Sequence, residues 1–268
     1  MTVYGGQGDP ARTMALLWRN QSPTATPDLS AAASASARTR RAPGPRQGLT
    51  VDTIVEAAIA LADADGMDKL SMRAVGERLG TSAMALYTYV PSKRELVDLM
   101  YDHAHAGLPH SYDLTAGREA AVHAWTGDLW ARYLAHPWLL QVSFARPVLG
   151  PHEQAVLEAL LGILHGTEVT AGDLRPAVSA LFHLVRGAAQ TAAESRAAAT
   201  ATGTPDEQWW TERSAQLATV VPDFTARFPH SAALSATPPD GAPTTYDPVA
   251  HTRHTLDAAV TLLLTGLR

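Results

Sequence analysis

The chain reads as all-α: a small N-terminal bundle containing a helix-turn-helix, followed by a larger helical bundle. Three observations predict this. From Thr50 onward apolar residues recur at spacings of three and four, and no stretch alternates with the period of two that a half-buried strand requires. Gly, Pro and capping residues interrupt that pattern at the lengths of ordinary helices. The 268 residues, 46% hydrophobic and 18% charged, suffice for one or two packed domains.

Residues 1–47 read as a mostly disordered basic tail. Ser30 to Ala37 is almost wholly Ser and Ala, and Pro43-Gly44-Pro45 offers no packed face. Thr13 to Arg19 is the exception, a short docking turn. The first helix, Val51 to Ala64, sets Ile54, Ala57, Ala58 and Leu61 on one face and ends at Gly66. The second runs from Met72 to about Leu79, with Ser71 as N-cap and Gly80 as its stop. A third, Ala83 to Tyr89, is capped by Ser82. Pro91 breaks the chain, and Ser92 with Glu95 makes a capping box for a fourth helix to about His105. Gly107-Leu108-Pro109 marks a boundary, so residues 48–108 form one domain and 109–268 another.

In the second domain Ala116 to Ala135 is a long helix with Val122, Trp125, Leu129 and Tyr133 on one side. Pro137 to Phe144 and His152 to His165 are shorter, and Leu174 to Ala199 is long and rich in Ala. Thr204-Pro205-Asp206-Glu207 has the form of a capping box with Pro at N1, opening a helix to about Ala218. Pro229 to Tyr246 reads as a Pro-rich loop, after which Asp247 caps a last helix, Pro248 to Leu267.

Several function classes are excluded. With no Cys there is no thiol nucleophile, disulfide framework or Cys-ligated metal. No Gly-rich phosphate loop, Gly-x-Ser-x-Gly elbow or paired His-Glu metal motif occurs, so neither enzymatic activity nor a cofactor is expected. His103 and His105 would point about 200° apart on a helix. His251 and His254 share a face, but no carboxylate sits one turn from both. No metal site is expected. The longest apolar stretch, Ala258 to Leu264, is too short to span a bilayer, and the expectation is a soluble cytoplasmic protein with no membrane partner.

The net charge of −5 is unevenly spread: +4 over residues 1–47, −4 over 48–108 and −5 beyond. Within 71–94, Arg73, Arg78, Lys93 and Arg94 face only Glu77. An acidic total therefore leaves nucleic acid open as a partner, because one face can differ from the whole.

Residues 71–90 carry the functional signal. Two short helices meet at Leu79-Gly80-Thr81, a turn in which Gly takes the left-handed conformation. Val75, Leu79, Leu86 and Val90 can close a core with Ile54 and Leu61. A helix of barely two turns buries too little to be explained by packing, and presenting its outer face to a groove is the sharper reading. Spacing alone leaves an ordinary three-helix bundle equally open.

The run from Leu70 to Leu96, with Leu79-Gly80, Leu86-Tyr87, Val90, Lys93 and Glu95-Leu96, closely resembles the DNA-binding domain of the tetracycline-repressor (TetR) family of bacterial transcription regulators. The resemblance extends more weakly over 109–268, where His136-Pro137-Trp138 and Arg146-Pro147 resemble the ligand-binding half of the tetracycline-repressor subgroup. It implies that the helix from Ser82 enters the major groove of double-stranded DNA. By position, Tyr87 and Lys93 would hold phosphates and Arg73 would reach a base or phosphate from the side, with Ser71 and Thr88 touching the backbone. Ser82, Ala83, Met84, Ala85 and Tyr89 complete the expected surface. Since the reading helix holds no Arg, Lys, Asn or Gln, Ala83, Met84 and Ala85 could give only apolar contacts, most naturally to thymine methyls. Arg38, Arg40, Arg41 and Arg46 are either a solvated tail or an arm along the minor groove, with Arg41 and Arg46 nearest the domain.

The resemblance also places Val142 where the tetracycline repressor has its magnesium-binding His, and Trp125, Leu129, Ala145 and Leu160 at other drug-contacting positions. These residues either line a pocket for an apolar or aromatic effector or are core. The helix with Gly187-Ala188-Ala189 and the last helix, with Leu256, Ala259, Val260, Leu263 and Leu267, match the family's dimer-forming pair. The implied function is a homodimeric repressor released from a palindromic operator by a small molecule. The rivals are a regulator or activator without ligand, and an all-α small-molecule binder with a vestigial helix-turn-helix.

Overall fold

The computed structural model describes residues 3–21, 48–166, 171–236 and 247–266. All elements in them are helices: α1 (Pro10–Leu17), α2 (Val51–Asp65), α3 (Met72–Arg78), α4 (Ala83–Tyr87), α5 (Lys93–Ala104), α6 (Arg118–Ala135), a 3₁₀ turn Pro137–Gln141, α7 (Pro151–Leu164), α8 (Ala171–Thr202), α9 (Asp206–Val220), α10 (Phe224–Arg227), α11 (Pro229–Ala236) and α12 (Pro248–Gly266). The extended pairing among the described residues is one isolated parallel bridge, Val3 with Val142.

The chain divides into two compact units: Met1–His110 with Gln141–Glu158, and Ser111–Leu140 with Ala159–Arg268. In the first, α2 packs on α5 and α3, α3 on α4, and α1 on α5. Ile54, Val55, Ala58, Val75, Leu86, Val90, Leu96 and Met100 are buried there. Leu79, expected in this core, is only half-buried, because it is the C-cap of α3 at the rim of the turn. In the second unit α8 packs on α6 and α12. Val122, Trp125, Leu129, Leu160, Leu181, Val185, Leu256 and Val260 fill that core.

Helix starts follow the capping residues where a side chain does the capping. Ser71, Ser82 and Thr50 accept the N–H groups of Ala74, Ala85 and Thr53, and Asp247 accepts those of Val249 and Ala250. Four expectations are corrected. Residues 3–21 are folded, and the docking turn expected over Thr13 to Arg19 is α1, whose N-cap is Asp9 and whose first residue is Pro10. Pro205, not Thr204, is the N-cap of α9, and no side chain caps that end. Ser92 accepts from Arg94 N–H, while Glu95 folds onto the Ser92 hydroxyl rather than its backbone. The first part of the expected loop over Pro229 to Tyr246 is α11, in which Pro229 occupies the tolerated first position. Residues 22–47, with Arg41 and Arg46, and residues 237–246 lie outside the described residues.

Candidate nucleic-acid interface

The helix-turn-helix is shaped by two glycines. Gly80 has φ +66°, the left-handed conformation that lets α3 stop and the chain reverse within three residues. Gly76, buried in α3, faces the start of α4. A Cβ there would lie 2.9 Å from the Thr81 carbonyl and 3.2 Å from the Ala83 nitrogen. The bare backbone is what allows the two helices to touch, and the Thr81 N–H bonds back to the Gly76 carbonyl at 2.9 Å. The sequence reading missed Gly76, whose only signal is a Gly inside a helical run.

On α4, Leu86 is fully buried while Met84 is 75% and Tyr87 41% exposed. Ser82 and Thr88 are exposed, and Ala83 and Ala85 half-buried beside Met84. The helix ends at Tyr87 with Thr88 as C-cap, so Tyr89 falls beyond it and is half-buried. Lys93 opens α5 and is exposed. Ser71 spends its hydroxyl oxygen on the α3 cap yet stays exposed. Arg73 is 85% exposed on its side chain and donates to Glu77 Oε1 at 2.8 Å, one turn on. That partner is exposed and worth little in stability, so the guanidinium can exchange it for a base edge or phosphate. A short capped helix thus projects apolar and hydroxyl groups, with cations at its flanks.

The residues expected to contact a small molecule divide between the two units. Trp125, Leu129 and Leu160 are buried in the larger one, where Trp125 meets Phe182 edge-on at 5.0 Å between ring centroids. Phe182 was not anticipated from the sequence. Nearby, Arg186 donates to the Leu140 carbonyl at 2.6 Å and lies over the Tyr133 ring, fixing the 3₁₀ turn against α8. Val142 is buried in the smaller unit against Val3, and Ala145 is exposed, its N–H bonded to Ser143 Oγ. A cavity of about 340 Å³ lies in the smaller unit instead, lined by Arg19, Asp52, Glu56, Leu99, His103 and His152 among others. Burial holds His103 below the ordinary imidazole value. Among the described residues no three His, Asp or Glu side chains come together as a metal set.

A capped helix-turn-helix on a three-helix core, followed by a larger helical unit, defines a DNA-binding regulator. Residues 54–100 match the family of bacterial regulatory proteins of the tetR type, and 119–248 match the tetracyclin repressor-like C-terminal domain. The chain is 37% identical over 235 residues to the HTH-type transcriptional repressor DrrR1 of Streptomyces coeruleorubidus, covering 87% of this chain and 80% of that one. Among solved structures it resembles the TetR regulator SCO7222 of Streptomyces coelicolor, at 27% identity and TM-score 0.60, over 82% of this chain and 98% of that one. It also resembles ActR of the same organism in complex with actinorhodin, at 24% identity and TM-score 0.64, over 82% and 97%. The chain belongs to the TetR family of transcription regulators. It is a DNA-binding protein and not an enzyme, and among the described residues no helix is long and apolar enough to cross a membrane.

Proposed function

We propose that the chain is a cytoplasmic homodimeric repressor that leaves a palindromic operator when a small apolar or aromatic molecule binds its C-terminal half. The observation that carries this reading is the character of the buried α6 face: Trp125 and Leu129, with Phe182 across from Trp125, offer aromatic and aliphatic surface. ActR, of the same fold, has been solved in complex with (S)-DNPA and with actinorhodin, so a chain of this fold can hold a small molecule. Val142 and Ala145 group with the smaller unit, so the proposed pocket rests on Trp125, Leu129 and Leu160 of the larger one. For the dimer, α8 and α12 are the natural seam. They already pack on each other, and Leu262 of α12 is 74% exposed, as a residue awaiting a partner helix would be. Arg73 reads bases, Tyr87 and Lys93 hold phosphates, and Arg41 and Arg46 reach the adjacent minor groove.

The test is a titration of the protein on the duplex upstream of its own gene, followed by release with candidate compounds. Tetracycline with Mg²⁺ should leave the complex intact, because Val142 stands where a metal-binding His is needed. A flat aromatic compound should release it. Leu129→Arg should abolish that response while the apo protein still binds, since a charge beside an apolar ligand is costly to bury. Release by magnesium–tetracycline would overturn the assignment of the pocket.

A further inference from the structure

Residues 3–21 lie outside both family matches, yet three fastenings hold them within the smaller unit. At the first, Val3 pairs with Val142: its N–H donates to the Gln141 carbonyl at 2.8 Å and its carbonyl accepts from Ser143 N–H at 2.6 Å. At the second, Gly6 N–H donates to both oxygens of Asp98, at 3.0 and 3.1 Å, and Asp9 N–H to Glu95 Oε1 at 3.3 Å. The backbone lies so close to α5 there that a Cβ on Gly8 would strike the Glu95 carboxylate. At the third, Trp18 Nε1 donates to the Leu149 carbonyl at 3.0 Å, Leu17 is buried, and Arg19 pairs with Asp52 of α2.

The carboxylates of α5 join the two segments. Glu95, Asp98 and Asp102 are spaced three and four apart, on one helical face, and all three are buried. The first two accept from the N-terminal segment. Asp102 Oδ1 accepts the N–H groups of His152 and Glu153, each at 2.9 Å, at the start of α7. Lifting the N-terminal segment would break all three of its hydrogen bonds to Glu95 and Asp98 at once and open that face of α5 to water. The docked arrangement is therefore a state that is kept or lost as a whole.

We propose that residues 3–21 are a strap that fastens α5, the last helix of the reading head, to residues 141–153, so that the two open and close together. Residues 151–158 are the first half of α7, whose second half carries Leu160 into the larger unit. The strap therefore decides how firmly α5 is held to the start of α7.

Hydrogen exchange of the free full-length protein tests it. Gly8→Val should speed exchange about tenfold not only at residues 3–9 but together at 141–143 and along α5, as expected for one cooperative opening. Should that variant fail to fold, Trp18→Phe, which removes the indole donor and keeps an aromatic ring, should give the same pattern at about fivefold. Because the chain has no Cys, Val3→Cys with Val142→Cys can be oxidised to a single designed disulfide. In the Gly8→Val background oxidation should restore slow exchange at α5 as well as at the bridge. Faster exchange confined to residues 3–9, or protection that returns only around residues 3 and 142 on oxidation, would overturn the strap.

Discussion

α5 presents two opposite solutions to the placement of charge. At its N-terminus Lys93, the proposed phosphate contact, and Arg94 are exposed cations with no salt bridge within reach among the described residues. Along its flank Glu95, Asp98 and Asp102 are buried anions filled by main-chain N–H groups. The first arrangement binds outward and contributes little to the fold. The second holds the fold and binds nothing outside it. The acidic balance of residues 48–108 therefore does not describe the surface DNA meets, since three of its nine carboxylates are folded inward.

The largest effect is expected between the two faces, at the turn that aims the reading helix. Gly76→Val inserts a side chain where the Thr81 carbonyl stands at 2.9 Å, and backbone cannot step aside. Overpacking of about 1–3 kcal/mol is expected, with loss of measurable DNA binding while the helical content of the larger unit persists. Calorimetry with a binding titration checks both.

The buried face should show itself in an unusual pH dependence. Burial raises Asp98 to about 6 and Glu153, at the start of α7, to about 7, and raises Asp102 as well. The folded protein therefore binds more protons than the unfolded chain between the ordinary carboxylate range and about 7, so stability falls as pH rises through that window. His103, held low by burial, opposes the trend below its ordinary value, and Glu95, held low by its hydrogen bonds, opposes it in acid; three raised carboxylates outweigh them. Lowering the pH from 8 to 5.5 should raise the Tm of the smaller unit by roughly 4 °C. Asp98→Asn with Glu153→Gln should flatten the curve.

The exposed face gives smaller effects. Arg73→Ala should relax preference at one or two base pairs, costing about 1–3 kcal/mol on the best sequence, and uniform weakening would make it a backbone contact. Lys93→Ala should weaken all sequences alike and flatten the salt dependence of binding by about one unit. A series of binding isotherms at different salt concentrations separates the two.

The reading head was legible because its signals are local. Ser71, Ser82 and Gly80 announce helix ends within three residues of where they act, and Val75, Leu86 and Val90 repeat at helical spacing. The strap was not legible, because Gly6 and Asp98 are 92 residues apart and neither is unusual alone. Asp98 and Asp102 pass for the polar side of an amphipathic helix, and only the fold shows main chain on top of them. α11 was hidden by Pro229, whose helix-breaking reputation does not hold at a first turn. The grouping of the residues expected to contact a ligand was not legible, since Val142 and Ala145 follow a 3₁₀ turn that ends one unit and begins the next stretch of the other.

The first turn of α5 also has an energetic meaning. Its backbone N–H groups carry the positive end of the helix dipole, and Lys93 and Arg94 sit there with only Glu95 as relief. Two cations at that end work against the helix they open, at a scale of some tenths of a kcal/mol each. A phosphate held by Lys93, as proposed above, would offset that repulsion. If Lys93 holds a phosphate as proposed, part of what DNA contributes on binding is the removal of a repulsion built into the unbound protein.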